Sequence, residues 1–137
     1  MSKAYVLDAS ALVALLKDEE GADVVTAVYK QAEIGEASIF INRVNLLEVY
    51  YGFYRSNGKE YADRILAGIS KSIVMVNEFD SNVFPIAGRL KVSYKVSLAD
   101  SIAMAQAILL SGELLTSDHH EFDVIEGKEP IIFHWIR

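Results

Sequence analysis

The sequence predicts an α/β fold: a parallel β-sheet flanked by helices on both faces, in a three-layer α/β/α arrangement spanning residues 1–137 as one domain. Two observations carry this expectation. Short apolar segments of strand length alternate along the chain with longer segments whose apolar residues recur every three or four positions, the pattern of strands joined by crossover helices. The chain is also of single-domain size, with 137 residues of which 52% are hydrophobic, enough for one well-formed core. No internal repeat, linker or low-complexity stretch interrupts it.

The elements follow in order. Ala4 to Leu7 is a strand candidate, and Ala9 to Leu16 continues at helical spacing, with Asp8 or Ser10 available to cap the first free amides. Glu20 to Ile34 is expected to be a second helix ending at Gly35, and Ser38 to Ile41 a second strand. Val44 to Tyr54 is expected to be helical up to the turn residues Ser56, Asn57 and Gly58. Lys59 to Ile69 forms a further helix and Ile73 to Val76 a third strand. Val83 to Tyr94 is a helix with Pro85 in its first turn, where proline is tolerated. Ser97 begins a helix over Leu98 to Leu110, which Gly112 ends. Leu114 to Thr116 and Ile131 to Phe133 complete the strands.

Composition narrows the function classes. A net charge of -6 argues against a broadly basic phosphate-binding surface, although a bound cation can still draw in a polyanion. The absence of cysteine removes disulfides, thiolate zinc sites and a cysteine nucleophile together. No apolar run approaches the roughly 18 residues of a membrane span, and no charged leader precedes one, so a cytoplasmic protein without membrane contact is expected.

Four acids are placed where chemistry is expected. Asp8, Glu48, Asp100 and Asp118 each fall at a strand-to-helix corner or on a helix beside one, and in a parallel sheet those corners line a single edge. Singly, each has an ordinary explanation: Asp8 and Asp118 as caps, Asp100 with Ser97 as a capping box, Glu48 as a solvated position paired with Arg55. Jointly they can converge on a divalent cation. Hard oxygen donors with no sulfur favour magnesium or manganese over zinc. His119 and His120 follow Asp118, but in an extended segment adjacent side chains point to opposite sides, which favours surface or packing roles; His134 beside Trp135 is expected to pack. The aromatic cluster of Tyr50, Tyr51, Phe53 and Tyr54 is expected in the core or at a protein interface. Arg43, Arg55, Arg89, Lys91 and Lys95 are candidate phosphate contacts or scattered solubilising charges.

The segments YVLDASALVALL, NLLEVYYG, SLADSIAMAQA and LLTSDHHEF, in this order over nearly the whole chain, resemble the successive acidic motifs of PIN-domain ribonucleases. In length the chain is similar to the small VapC-like toxins of toxin–antitoxin pairs. The resemblance implies Asp8, Glu48, Asp100 and Asp118 as catalytic metal ligands around Mg2+, with Mn2+ as substitute, and endonucleolytic cleavage of RNA. It also implies a cognate antitoxin and a homodimer. Ser10 and Thr116 match the family's small hydroxyl positions and are expected to be auxiliary. Glu121 stands where family members often carry an aspartate, and it too is placed as auxiliary. Two other classes compete: a PIN-like binding module without catalysis, and a phosphoacceptor receiver, whose paired early acids and late lysine this chain lacks.

Overall fold

The computed structural model describes residues 2–137. Its strands are β1 (Lys3–Leu7), β2 (Ala37–Asn42), β3 (Met75–Asn77), β4 (Glu113–Thr116) and β5 (Ile132–Trp135). They form one sheet in the order β3-β2-β1-β4-β5, and every neighbouring pair is parallel. The helices are α1 (Ala9–Leu16), α2 (Ala22–Glu33), α3 (Arg43–Asn57), α4 (Lys59–Ser70), α5 (Val83–Ser93), α6 (Leu98–Leu110) and the short α7 (His119–Phe122).

Alternation along β1 explains the layering. Tyr5 and Leu7 point into a core built with α1, α2, α3 and α4, whereas Val6 points into a second core built with α5, α6 and Phe122. Leu7, Leu12, Ile39 and Ile41 are fully buried on the first side, and Ile102, Met104, Leu114 and Ile125 on the second. With both faces covered, the central strands read as continuous apolar runs, which is why the sequence shows them. The expected three-layer α/β/α sandwich is therefore what the chain forms.

The differences from expectation lie at element ends. The third strand was expected over 73–76 but pairs only over Met75–Asn77, at the sheet edge. There the Ser72 hydroxyl accepts from the Val74 amide at 3.2 Å and keeps the chain turning after α4. The second helix starts at Ala22 rather than Glu20, because Gly21 holds a left-handed φ of 98°. The segment after Asp118 is not extended: His119–Phe122 is one turn of helix, too short to produce a periodic signal.

Gly21 is also where the C-terminal end of the chain is fastened. A Cβ built on Gly21 would stand 2.7 Å from the Ile136 carbonyl oxygen, and Arg137 donates to the Glu20 carbonyl at 2.7 Å. Gly35, at φ 80°, has open space around it. Gly21→Ala combines a disfavoured backbone angle with a clash and should cost about 1–3 kcal/mol, whereas Gly35→Ala carries only the backbone term of about 1 kcal/mol. Thermal unfolding of the two variants checks the ranking; equal losses would contradict it.

Candidate active site

The acids meet at the carboxyl edge of the sheet. Asp8 follows β1 and caps α1, with its Oδ1 accepting from the Ala11 amide at 2.9 Å and from the Ser10 hydroxyl at 2.7 Å. Its Oδ2 accepts from the buried Thr116 hydroxyl at the end of β4. The same two hydroxyls accept in turn from the next segment: the Ser117 amide donates to Ser10 Oγ at 3.1 Å and the Asp118 amide to Thr116 Oγ1 at 3.0 Å. Ser10 and Thr116 thus stitch the ends of β1 and β4 together through one carboxylate.

The other acids arrive by separate routes. Asp118 caps α7, accepting from the Glu121 amide at 3.2 Å. Asp100 lies in the first turn of α6, where its amide donates to the Ser97 cap at 3.1 Å. Glu48 stands half-buried in the middle of α3. Arg55, the partner in its ordinary alternative explanation, lies over the Tyr51 ring, 5.5 Å from the centroid. Asp8, Glu48, Asp100, Asp118 and Glu121 line one cleft of about 330 Å³ together with Ala9, Ser10 and Ser97. Within it, carboxylate oxygens of Asp100, Asp118 and Glu121 lie within 4.8 Å of one another. Glu121, expected to be auxiliary, thus stands beside Asp100 and Asp118.

Electrostatics follow from this packing. Burial pushes the Asp8 carboxyl above its usual range, and the hydrogen bonds from Ser10, Thr116 and Ala11 oppose that shift. Glu48 is raised mainly by burial and further by the charges of Asp8 and Asp118, while the neighbouring Asn45 side chain pulls the other way. Asp100 is pushed up to about 8 by burial, by a hydrogen bond and charge interaction with Asp118, and by the charge of Asp8. Acids crowded in this way hold protons that a cation would displace. The donors are all carboxylate oxygens, a set that fits a hard divalent cation such as magnesium or manganese and not a sulfur-seeking metal.

Three buried amides that the sequence did not single out are Asn42, Asn45 and Gln106. Asn42 caps α3 through the Val44 amide at 3.0 Å and donates to Gln106 Oε1 of α6 at 2.9 Å. Asn45, one turn before Glu48, donates to the Ala99 carbonyl at 3.0 Å. The readable signal was polar residues at core spacing on otherwise apolar helices.

Other candidates fall outside the cleft. His119 stacks on Trp135 at 3.7 Å and contacts Asp123 and the Arg137 carbonyl, a packing role as expected. His120 is exposed. His134 packs edge-on against Tyr5 and pairs with Glu113. Arg43 pairs with Glu78, Arg89 with Glu129, and Lys91 donates to the Val96 carbonyl. Among the described residues, no basic side chain lines the cleft.

A parallel α/β/α domain with five acids at the carboxyl edge of its sheet defines a class of candidate cation-dependent sites. The chain belongs to the PIN domain family, whose model matches residues 5–128. No curated protein sequence matches it. Among solved structures, it is similar to VapBC2 from Rickettsia felis bound to a DNA fragment from its promoter, with a TM-score of 0.75 and 19% identity over 96% of this chain and 98% of that one. DNA-bound VapBC from Salmonella typhimurium gives a TM-score of 0.75 and 19% identity, covering 100% of both chains. Mycobacterium tuberculosis VapC20, a Sarcin-Ricin loop cleaving toxin, gives 0.58 and 17%, covering 80% of this chain and 86% of that one. At these identities the likeness is one of fold.

The raised carboxyl pKa values predict a pH dependence. The folded protein retains a proton on Asp100 that the unfolded chain has already released, so folding stability of the cation-free protein falls as pH rises from the ordinary carboxylate range through about 8. Melting in chelator across that window should show a declining Tm, and Asp100→Asn should flatten the decline. A Tm in the wild type that does not fall over this window would contradict the assignment.

Proposed function

We propose that the protein is a magnesium- or manganese-dependent endoribonuclease that hydrolyses RNA phosphodiester bonds and acts as the toxin of a toxin–antitoxin pair. The observation that carries this reading is the convergence of Asp8, Glu48, Asp100, Asp118 and Glu121 on one cleft in a PIN domain. Asp8, Glu48, Asp100 and Asp118 are the catalytic set, Glu121 adds a donor beside Asp100 and Asp118, and Ser10 and Thr116 hold Asp8 in place. When bound, a divalent cation supplies a lowered pKa for attacking water and offsets charge developing on the phosphate.

The chain's own residues do the rest. Asp8, pinned on both oxygens by Ala11, Ser10 and Thr116, is a fixed anchor that cannot swing away from the site. Asp100, Asp118 and Glu121 present closely spaced oxygens, and Glu48 closes the cleft from α3. The acids alone repel a phosphate, and among the described residues no basic side chain in the cleft relieves this, so substrate binding and cation binding are coupled. The fold similarity to a Sarcin-Ricin loop cleaving toxin supports RNA as the substrate class, and the similarity to VapBC complexes supports an antitoxin partner.

The surface of α3 supports protein association. Leu46, Val49 and Phe53 form its buried stripe, while Leu47, Tyr51 and Tyr54 remain 54%, 44% and 46% exposed on the outer side, beyond what one core-facing stripe uses. This face suits the antitoxin or a second copy in a homodimer. No helix among the described residues is long and apolar enough to cross a membrane, and a cytoplasmic location fits the proposed RNA substrate.

Purified protein should cleave RNA with magnesium or manganese and not in excess chelator. Asp8→Asn and Asp100→Asn should each reduce the rate on the order of a hundredfold or more with the circular dichroism spectrum retained. Undiminished cleavage by both variants, or activity in chelator, would contradict the proposal. Mass in solution should exceed that of a monomer at high concentration, and Leu47→Glu should lower it or weaken capture of the antitoxin encoded beside this chain; neither effect occurring would remove α3 as the interface.

A further inference from the structure

Asn45 is the buried side chain whose cost to the fold is unexplained by packing. It is fully buried on α3, yet its Oδ1 has no hydrogen-bond partner. A buried acceptor left unpaired is a net loss relative to an apolar residue of similar shape. Nor does the fold need its donor: Ala99 lies inside α6, where its carbonyl also serves the helix's own hydrogen-bond ladder, so removing Asn45 strands no acceptor there.

Its location supplies the missing reason. Asn45 sits one helical turn before Glu48, on the same side of α3. Its Nδ2 donates at 3.0 Å to the carbonyl of the residue immediately before Asp100. The Asn45 side chain also lies close enough to the Glu48 carboxyl to oppose the upward shift that burial imposes on it. One side chain therefore sits beside an acid on α3 and bonds the backbone that carries an acid on α6, and both acids line the same cleft.

We infer that Asn45 is a positioning residue that clamps α3 to α6 and fixes the distance and orientation of Glu48 relative to Asp100 for binding of a divalent cation. This rests on the metal-dependent reading given above and adds to it a residue outside the acid set. A clamp of this kind tunes affinity for the cation through the ligands it orients, and loss of such an outer partner lowers metal affinity by about 10- to 100-fold. Stability should move the other way, because Asn45→Leu removes the unpaired oxygen.

The test is Mn2+ binding to the free protein, followed by electron paramagnetic resonance, together with Tm in chelator, for wild type and Asn45→Leu. Asn45→Ala serves the same comparison should the larger side chain prevent folding. The expected result is an Mn2+ dissociation constant raised about 10- to 100-fold in Asn45→Leu with a Tm equal to or above that of wild type. In Asn45→Ala the affinity loss should be similar despite a lower Tm from the cavity it leaves. A folded variant that binds Mn2+ within about twofold of wild type overturns the clamp alone. A wild-type protein that takes up no Mn2+ overturns the metal reading and the clamp with it.

Discussion

The carboxylate of Asp8 is the constraint around which the domain is organised. It is 2% exposed at the end of the central strand, and a charge so placed is tolerated only with its oxygens satisfied. Ser10, Ala11 and Thr116 provide that satisfaction, and because Thr116 ends β4, the bond that stabilises Asp8 also sets where Asp118 leaves the sheet. Breaking a buried group of this kind by removing one partner costs more than an ordinary hydrogen bond, since an uncompensated charge remains. The stitching of β1 to β4 therefore satisfies Asp8 and positions Asp118 at once.

Repulsion shapes the remainder of the site. Five acids share one cleft, and the local response is visible in the raised pKa values of Asp8, Glu48 and Asp100. A fold that crowds carboxylates without cationic partners is under electrostatic stress when empty and relieved when a cation enters. Arg43 and Arg89 do not relieve it: each is paired with a carboxylate outside the cleft. The acids that remain without a cationic partner are a set that fits a hard divalent cation.

Much of this was legible in the sequence. The strands on either side of β1 are buried on both faces, so their apolar runs announced themselves, and Asp8, Glu48, Asp100 and Asp118 stood out because parallel topology sends every strand end to one edge. Less legible were features set by tertiary contact. The four residues of α7 carry no period, so His119 and His120 were read as extended when they lie on a helical turn. The reach of Glu121 depends on that turn, which brings it back toward Asp118. Asn42, Asn45 and Gln106 were invisible because the partners of Asn42 and Asn45 lie on α6, more than fifty residues away in sequence. The surface of α3 was legible in kind, as an excess of apolar residues, but only the packing distinguishes buried Phe53 from exposed Tyr51 and Tyr54.

The central claim is that these acids act together on one divalent cation, and locating that ion tests it most directly. Crystals soaked in manganese and measured for anomalous scattering should show a peak in the cleft, coordinated by oxygens from Asp8, Glu48, Asp100, Asp118 and Glu121 or by waters they hold. Carboxylate–metal distances should be about 2.0–2.2 Å for direct ligands. A cleft with no anomalous peak at saturating manganese, or a peak only at a surface site away from these acids, would contradict the account.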